Sequence, residues 1–556
     1  MRTIARLCAL TLPLCILAGC SGQPDGQLEY TSLKPADNRL HISDLGNGFY
    51  KNPILHIDYS DPDVVAVDGN YYMTASSFNA SPGLPVLHST DLVNWTLINY
   101  ALPQQIPQAH YDKPQHGNGV WAPNFRYHDG KYWIFYPDPD FGIYVVTADD
   151  PAGTWSEPRL ILPGKGIIDP TPLWDKNGKA YLLHAWAKSR AGFNNVLSLH
   201  EMAADTSWVN PEYTTIVDGH QLTGYRTLEG PKFYQRNGYY YIFAPAGGVE
   251  TGWQAVFRSR NIFGPYQHKT VMAQGNTLIN GPHQGSWVTT SSGEDWFIHF
   301  QSRKAYGRIV HLQPVTWLND WPVIGRDDNN DGTGEPVYSH RKPLSALPGR
   351  IMPQPTSDEF TAKTVGIQWQ WNGNFKSQWL DVSEGQLTLN AMPKVFDTGD
   401  NLWMTPNLML QKLPAQTFQV RSQLKVPKAQ ADIETGLLLF GEDYAWIGIK
   451  TINNAPHLVY VQCRGARKGC DESVHDYGEV AHESIELRYI LASDATVVFA
   501  YRYSESEPFT VVGEQFKARR GRWVGAKTGV FAVGESGADA RYDYVRSLPM
   551  HREVVQ

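Results

Sequence analysis

The chain has 556 residues, room for two to four domains. Charged residues make up only 19% and aromatic residues 12%, and 49 Gly with 37 Pro supply many turns, which excludes a disordered chain. A net charge of -7 without any long basic run leaves no electrostatic footprint for nucleic acid or an anionic membrane face.

At the N-terminus, Arg2 and Arg6 precede an apolar run, Leu7 to Leu17, that ends in Leu17-Ala18-Gly19-Cys20. The run is too short to span a bilayer and reads as a signal peptide over residues 1–19. Its last four residues resemble the lipobox of bacterial lipoproteins. That resemblance implies cleavage before Cys20 and acylation of its thiol. Ser21 in place of Asp then implies sorting to the outer membrane, with the lipid as the only membrane contact. Residues 20–48 read as a tether.

From 49 to 340 one unit recurs five times: a short β-branched or aromatic run, a turn with Gly, then an aromatic-rich strand. The turn glycines are Gly69, Gly130, Gly178, Gly238 and Gly293, spaced 61, 48, 60 and 55 residues apart. No long amphipathic helical pattern intervenes, so the reading is all-β, a five-bladed β-propeller. Five inner strands around one axis must point a residue each at a common centre. Nine residues before the last four glycines stand Trp121, Asp169, Glu229 and Gln284, and eight before Gly69 stands Asp61. Three acids in one register repel one another, so a fold that keeps them together has a use for them.

A Pro-rich linker over 341–357 precedes a last domain, 358–556, whose short strand-like runs, Leu437-Leu438-Leu439-Phe440 among them, predict a β-sandwich. Within it Cys463 and Cys470 suit a local disulfide in an exported chain, and the nearby His457 and His475 give no zinc-finger spacing. Asp327, Asn329, Asp331, Gly332 and Glu335 follow positions 1, 3, 5, 6 and 9 of an EF-hand loop, but position 12 is Tyr338. A solvated turn is the first reading there and a structural calcium the second; no cofactor is required. A phosphate-binding loop and a Gly-x-Ser-x-Gly nucleophile elbow are both absent.

Several phrases resemble glycoside hydrolase family 43: Asn52-Pro53-Ile54-Leu55, Ser60-Asp61-Pro62-Asp63, His88-Ser89-Thr90-Asp91, Val120-Trp121-Ala122-Pro123, Ile168-Asp169-Pro170, Leu228-Glu229-Gly230-Pro231 and Tyr306-Gly307-Arg308. The resemblance runs from about Asn52 onward. Its C-terminal part is similar to the concanavalin-like domain of family 43 β-xylosidases, on Trp369-Gln370-Trp371-Asn372 and Trp523-Val524-Gly525-Ala526-Lys527. It implies Asp61 as general base, Glu229 as general acid, Asp169 as the group that tunes and orients the acid, and inversion at the anomeric carbon. It also implies Arg308 on the terminal sugar, a sandwich loop closing one side of the pocket, and xylan- or arabinan-type substrates.

The chemistry suits those roles. Inversion needs one carboxylate to activate water and a protonated acid on the opposite face, roughly 6.5 to 9.5 Å apart. A third carboxylate keeps the acid protonated by repulsion. Trp121 offers an apolar platform for a sugar ring, Phe78 lines either the same subsite or the core, and His283 and Gln284 compete for the fifth axial slot. The expectation is an exo-acting enzyme that releases terminal β-1,4-linked xylose from xylo-oligosaccharides. The alternatives are an α-L-arabinofuranosidase acting on arabinose-substituted hemicellulose fragments and, from another class, an inactive glycan-binding lipoprotein.

Overall fold

The computed structural model describes residues 39–344, 353–428 and 432–550. The signal peptide 1–19, Cys20, most of the tether and Pro348 of the linker lie outside them. Residues 39–48, expected as tether, are docked on the propeller: Lys51 N–H donates to Ser43 O, Lys342 N–H to Gly48 O, and the Lys342 ammonium lies 2.6 Å from Asp44.

The repeating turns build the blades. At Asp68-Gly69, Asp129-Gly130 and Asn237-Gly238 both residues hold positive φ, between 49° and 77°. Such two-residue turns match the right-handed twist of the strands they join. Each blade is a four-stranded antiparallel sheet in chain order. The inner strands are Asp63–Val67, Asn124–His128, Ile167–Trp174, Lys232–Arg236 and His283–Thr289. The second strands, such as Lys131–Asp138 and Tyr239–Ala246, are buried on both faces between neighbouring blades. That burial explains their aromatic runs without polar alternation.

A belt of hydrogen bonds closes the ring at the level of the inner strands. Val64 N–H donates to Ser286 Oγ, Phe125 N–H to Asp63, Asn124 Nδ2 to Thr171, Phe233 N–H to Thr171 and Trp287 N–H to the Tyr234 hydroxyl, so each adjoining pair of blades is joined. Asp63 also meets Arg126 at 3.0 Å and Lys232 at 3.5 Å; Lys232 is buried and Arg126 partly so. The Asn52-Pro53-Ile54-Leu55 phrase is a clip: Ile54 N–H donates to Val310 O, and the Asn52 side chain bonds Leu312 of the last blade and Val337 beyond it.

The C-terminal part holds two seven-stranded antiparallel sheets. Leu437, Leu439, Ile447 and Ile449 of one sheet meet Leu487, Tyr489 and Phe499 of the other, while Leu438 and Trp446 point to the opposite face under Leu402 and Trp403. With both faces covered, the Leu437 to Phe440 run needs no polar residue. Cys463 and Cys470 form the expected disulfide. The segment Trp523 to Lys527 docks on the propeller: Ala526 N–H donates to Ala305 O, and Asp58 accepts from both Gly525 N–H and Arg308 N–H at 2.8 and 2.7 Å.

Candidate active site

The propeller axis opens into a cavity of about 420 Å³ lined by Asp61, Asp169, Glu229 and Gln284 from four blades and by Trp121 and Phe78 beside them. This is the size range of small-molecule sites. Asp61 and Asp169, each before a Pro, hold φ of 56° and 55°. Asp169 sits in a register shift between Ile168 and Thr171, and Gln284 (φ 33°) in one between His283 and Gly285. A bulge with left-handed backbone turns a side chain out of the strand's alternation, here toward the axis, and such strain persists where the surroundings over-determine it. Gly230 serves the same end: its φ is +59°, and a Cβ there would lie 2.3 Å from Gln284 Cγ.

The three carboxylates have different surroundings. Asp61 Oδ2 accepts from the Ser60 and Ser76 hydroxyls at 2.5 Å each and from Arg308 at 3.3 Å, while Oδ1 has only Arg308, at 3.5 Å. Asp169 Oδ2 accepts from Gly230 N–H at 2.7 Å and from Gln284 Nε2 at 3.2 Å. Burial and then the Asp61 charge push Asp169 up to about 7. Glu229 accepts no hydrogen bond from protein among the described residues and faces the cavity with 22% of its side chain exposed. Burial first, then Asp169 and Asp61, push it up to about 8. The geometry thus separates a carboxylate braced by donors from one kept protonated near neutral pH.

The fifth axial slot belongs to Gln284. His283 is fully buried behind Glu229, with Nε2 3.7 Å from Glu229 Oε1, and neither ring nitrogen has a hydrogen-bond partner among the described residues. Burial, then Arg308, holds it down to about 3, so the imidazole is neutral. Arg308 lines the cavity, and its guanidinium donates to Ser60 Oγ at 2.6 Å. Phe78, left open between core and subsite, is 4% exposed and on the cavity wall.

Sequence reasoning missed Trp186, the last residue of a third-blade strand, Lys188 and Ser189 of the helical turn after it, and the loop residues Asn194 and Thr227, all on the cavity wall. It also left unassigned the sandwich loop that reaches the pocket. That loop carries Trp523, whose ring stands 6.5 Å from that of Trp121, at 68°, and 5.9 Å from the Arg308 guanidinium. Trp523 holds φ 65°, strained for a bulky residue and retained by the docking around Asp58.

The Asp327 loop is a turn whose oxygens are taken by its own chain. Asp327 accepts from Asp331 and Gly332 N–H, Asp331 from Thr333 N–H, and Glu335 turns away to Asn276 N–H. Among the described residues no group of three His, Cys, Asp or Glu stands close enough to hold a metal ion.

Three carboxylates on a propeller axis, under tryptophans and beside an arginine, define a glycoside hydrolase site. Residues 50–322 match the model for glycosyl hydrolases family 43, and 357–547 that for the beta xylosidase C-terminal concanavalin A-like domain. The chain is 36% identical to a Xylanibacter ruminicola protein assigned as a beta-xylosidase, over 87% of this chain and 86% of that one. It is 29% identical to a non-reducing end alpha-L-arabinofuranosidase of Bacteroides ovatus, over 71% and 74% of the two chains. The crystal structure of a xylan beta-1,4-xylosidase from Bacillus halodurans superposes with a TM-score of 0.79 at 24% identity, covering 90% of this chain and 99% of that one. The chain belongs to glycoside hydrolase family 43.

Proposed function

We propose that this protein is an exo-acting, inverting hydrolase that releases terminal β-1,4-linked D-xylose from xylo-oligosaccharides. The observation that carries the reading is the contrast between braced Asp61 and protonated Glu229 across one cavity. Asp61 Oδ1, the less engaged oxygen, takes the proton from the attacking water. Glu229 gives its proton to the leaving oxygen. Asp169 holds the Glu229-Gly230 backbone through Gly230 N–H and keeps the acid's proton in place by repulsion. Trp523 beside Trp121 favours a cavity for a chain end over a through-running cleft.

Release of α-L-arabinofuranose is the second reading, favoured by the arabinofuranosidase among the relatives. Assay on the two nitrophenyl glycosides and on xylo-oligosaccharides decides between them. Internal cleavage of xylan or arabinan without monosaccharide would overturn the exo reading, and no turnover of any of these would leave the glycan-binding alternative. The same protein is proposed to be anchored by lipid at Cys20 on the outer membrane of a bacterium. Cys20→Ala should move it from the membrane fraction to the soluble one, and an unchanged distribution would refute the anchor.

A further inference from the structure

We infer that the mouth of the cavity binds an anionic substituent, a carboxylate or a sulfate ester, carried by the sugar that leaves. The inference rests on the hydrolase reading above and adds a substrate class to it.

Arg467, Arg190 and Arg520 lie close enough to Arg522 to repel it, and each of those three has a carboxylate. Arg190 lies 3.1 Å from Asp140, Arg520 lies 3.4 Å from Glu250, and Arg467 and Arg519 each lie 3.4 Å from Glu442. Among the described residues Arg522 and Lys188 have no carboxylate within 4 Å. Arg522 is half-buried, its stem seated over Gly117, where a Cβ would be 2.4 Å from Arg522 Cγ. Its guanidinium lies 4.6 Å from the Trp523 ring, and that of Arg190 lies 5.4 Å from the Trp121 ring. Both tryptophans are cavity walls, so each carries a cation against it. Lys188 lines the cavity itself, beside Ser189 and Asn194.

Holding these cations together has a cost. Burial, then repulsion from Arg467, Arg190 and Arg520 set against Glu442 alone, lowers the Arg522 guanidinium from its ordinary value. A cationic rim on a chain of net charge -7 is a local feature, and a cleft focuses such a field on a ligand of opposite sign. The terminal sugar would sit against Asp61, Asp169 and Glu229, where Arg308 is already paired with Asp61 at 3.3 Å and offers an anion no free partner. The anion therefore sits beyond the scissile bond, where a guanidinium fork and an ammonium can both donate to its oxygens.

The test separates binding from turnover. The Glu229→Gln full-length protein is titrated by calorimetry with three oligosaccharides that differ only on the residue next to the terminal sugar: unsubstituted, uronate-bearing and sulfate-bearing. At low ionic strength an anionic compound should bind about tenfold tighter than the neutral one, and the gap should shrink in 0.5 M salt. Lys188→Gln and Arg522→Gln should each reduce the preference, and Lys188→Arg should keep it. Preference for one anionic compound alone identifies which anion is used. Equal affinity for all three compounds, or a preference that survives both Gln substitutions and high salt, overturns the inference. Absence of turnover of neutral glycosides by the unsubstituted protein would instead count against the hydrolase reading, because these affinities are read without catalysis. Lys188 is exposed, so its variants fold whether or not the Arg522 loop tolerates change.

Discussion

Replacing Asp169 by Asn isolates the repulsion that the mechanism assigns to it. Glu229 stands at about 8 and Asp169 at about 7, so where Glu229 loses its proton Asp169 is about nine-tenths ionised and repels at nearly full strength. Burial, the larger cause, is unchanged by the substitution, and Asp61 remains. A close like charge shifts a carboxylate by about one to two units, so the acid should ionise near 6 to 7. The sign follows: the general acid works protonated, and a lower pKa empties it at lower pH. The alkaline limb of the kcat/KM profile should therefore move down by about one to two pH units, while activity at pH 5 falls much less. Asn Oδ1 still accepts from Gly230 N–H, so Tm should change by only a few degrees. An alkaline limb that stays put beside a large drop in Tm would make Asp169 a structural cap and leave Asp61 and Glu229 as the working pair.

Three further substitutions test other parts of the account. Glu229 has a folded-state value above its ordinary 4.5, so its contribution to stability is complete below about 4.5 and is lost as pH rises through about 8. Glu229→Gln, which cannot charge, should gain Tm over the wild type across that window, and parallel curves would contradict the assignment. Asp63→Ala leaves the buried Lys232 and the partly buried Arg126 without their carboxylate and should cost about 3–5 kcal/mol in denaturant unfolding, whereas a loss of activity at full stability would place Asp63 in the chemistry instead. Gly525→Ala would put a Cβ 2.7 Å from Gly307 N and 2.8 Å from Tyr306 C, backbone atoms that cannot give way. Displacing Trp523 should lower kcat/KM about tenfold, about 1.4 kcal/mol, and an unaffected enzyme would remove that loop from substrate binding.

Counting back from the turn glycines found the axial residues because turn and strand lengths are mechanically linked. The equal count nonetheless hides two geometries. In the second and fourth blades Trp121 and Glu229 stand three residues before the strand, and Gly130 and Gly238 close two-residue turns. In the third and fifth, Asp169 and Gln284 lie inside the strand at a bulge and the turns are five residues long. A bulge moves a side chain across the sheet at a one-residue shift, which is why the sequence does not order His283 and Gln284. Lys188 and Asn194 left no trace because the connection after the second strand of that blade carries no period, and Trp186 ends that strand, on the far side of the turn glycine from the positions counted. Trp523 was in a recognised phrase, yet its place at the pocket depends on Asp58, more than 450 residues earlier, holding Gly525 and Arg308 together. Residues 39–48 looked like tether because Asp44 finds its cation in Lys342, across the whole propeller.

The most direct test of the central claim is the configuration of the sugar at the moment of release. Proton NMR of a β-xyloside digest should show the α-anomer of xylose first, with β-xylose appearing only as the free sugar mutarotates. Initial release of β-xylose would require a covalent intermediate on one of the carboxylates, and would contradict Asp61 as a base acting through water.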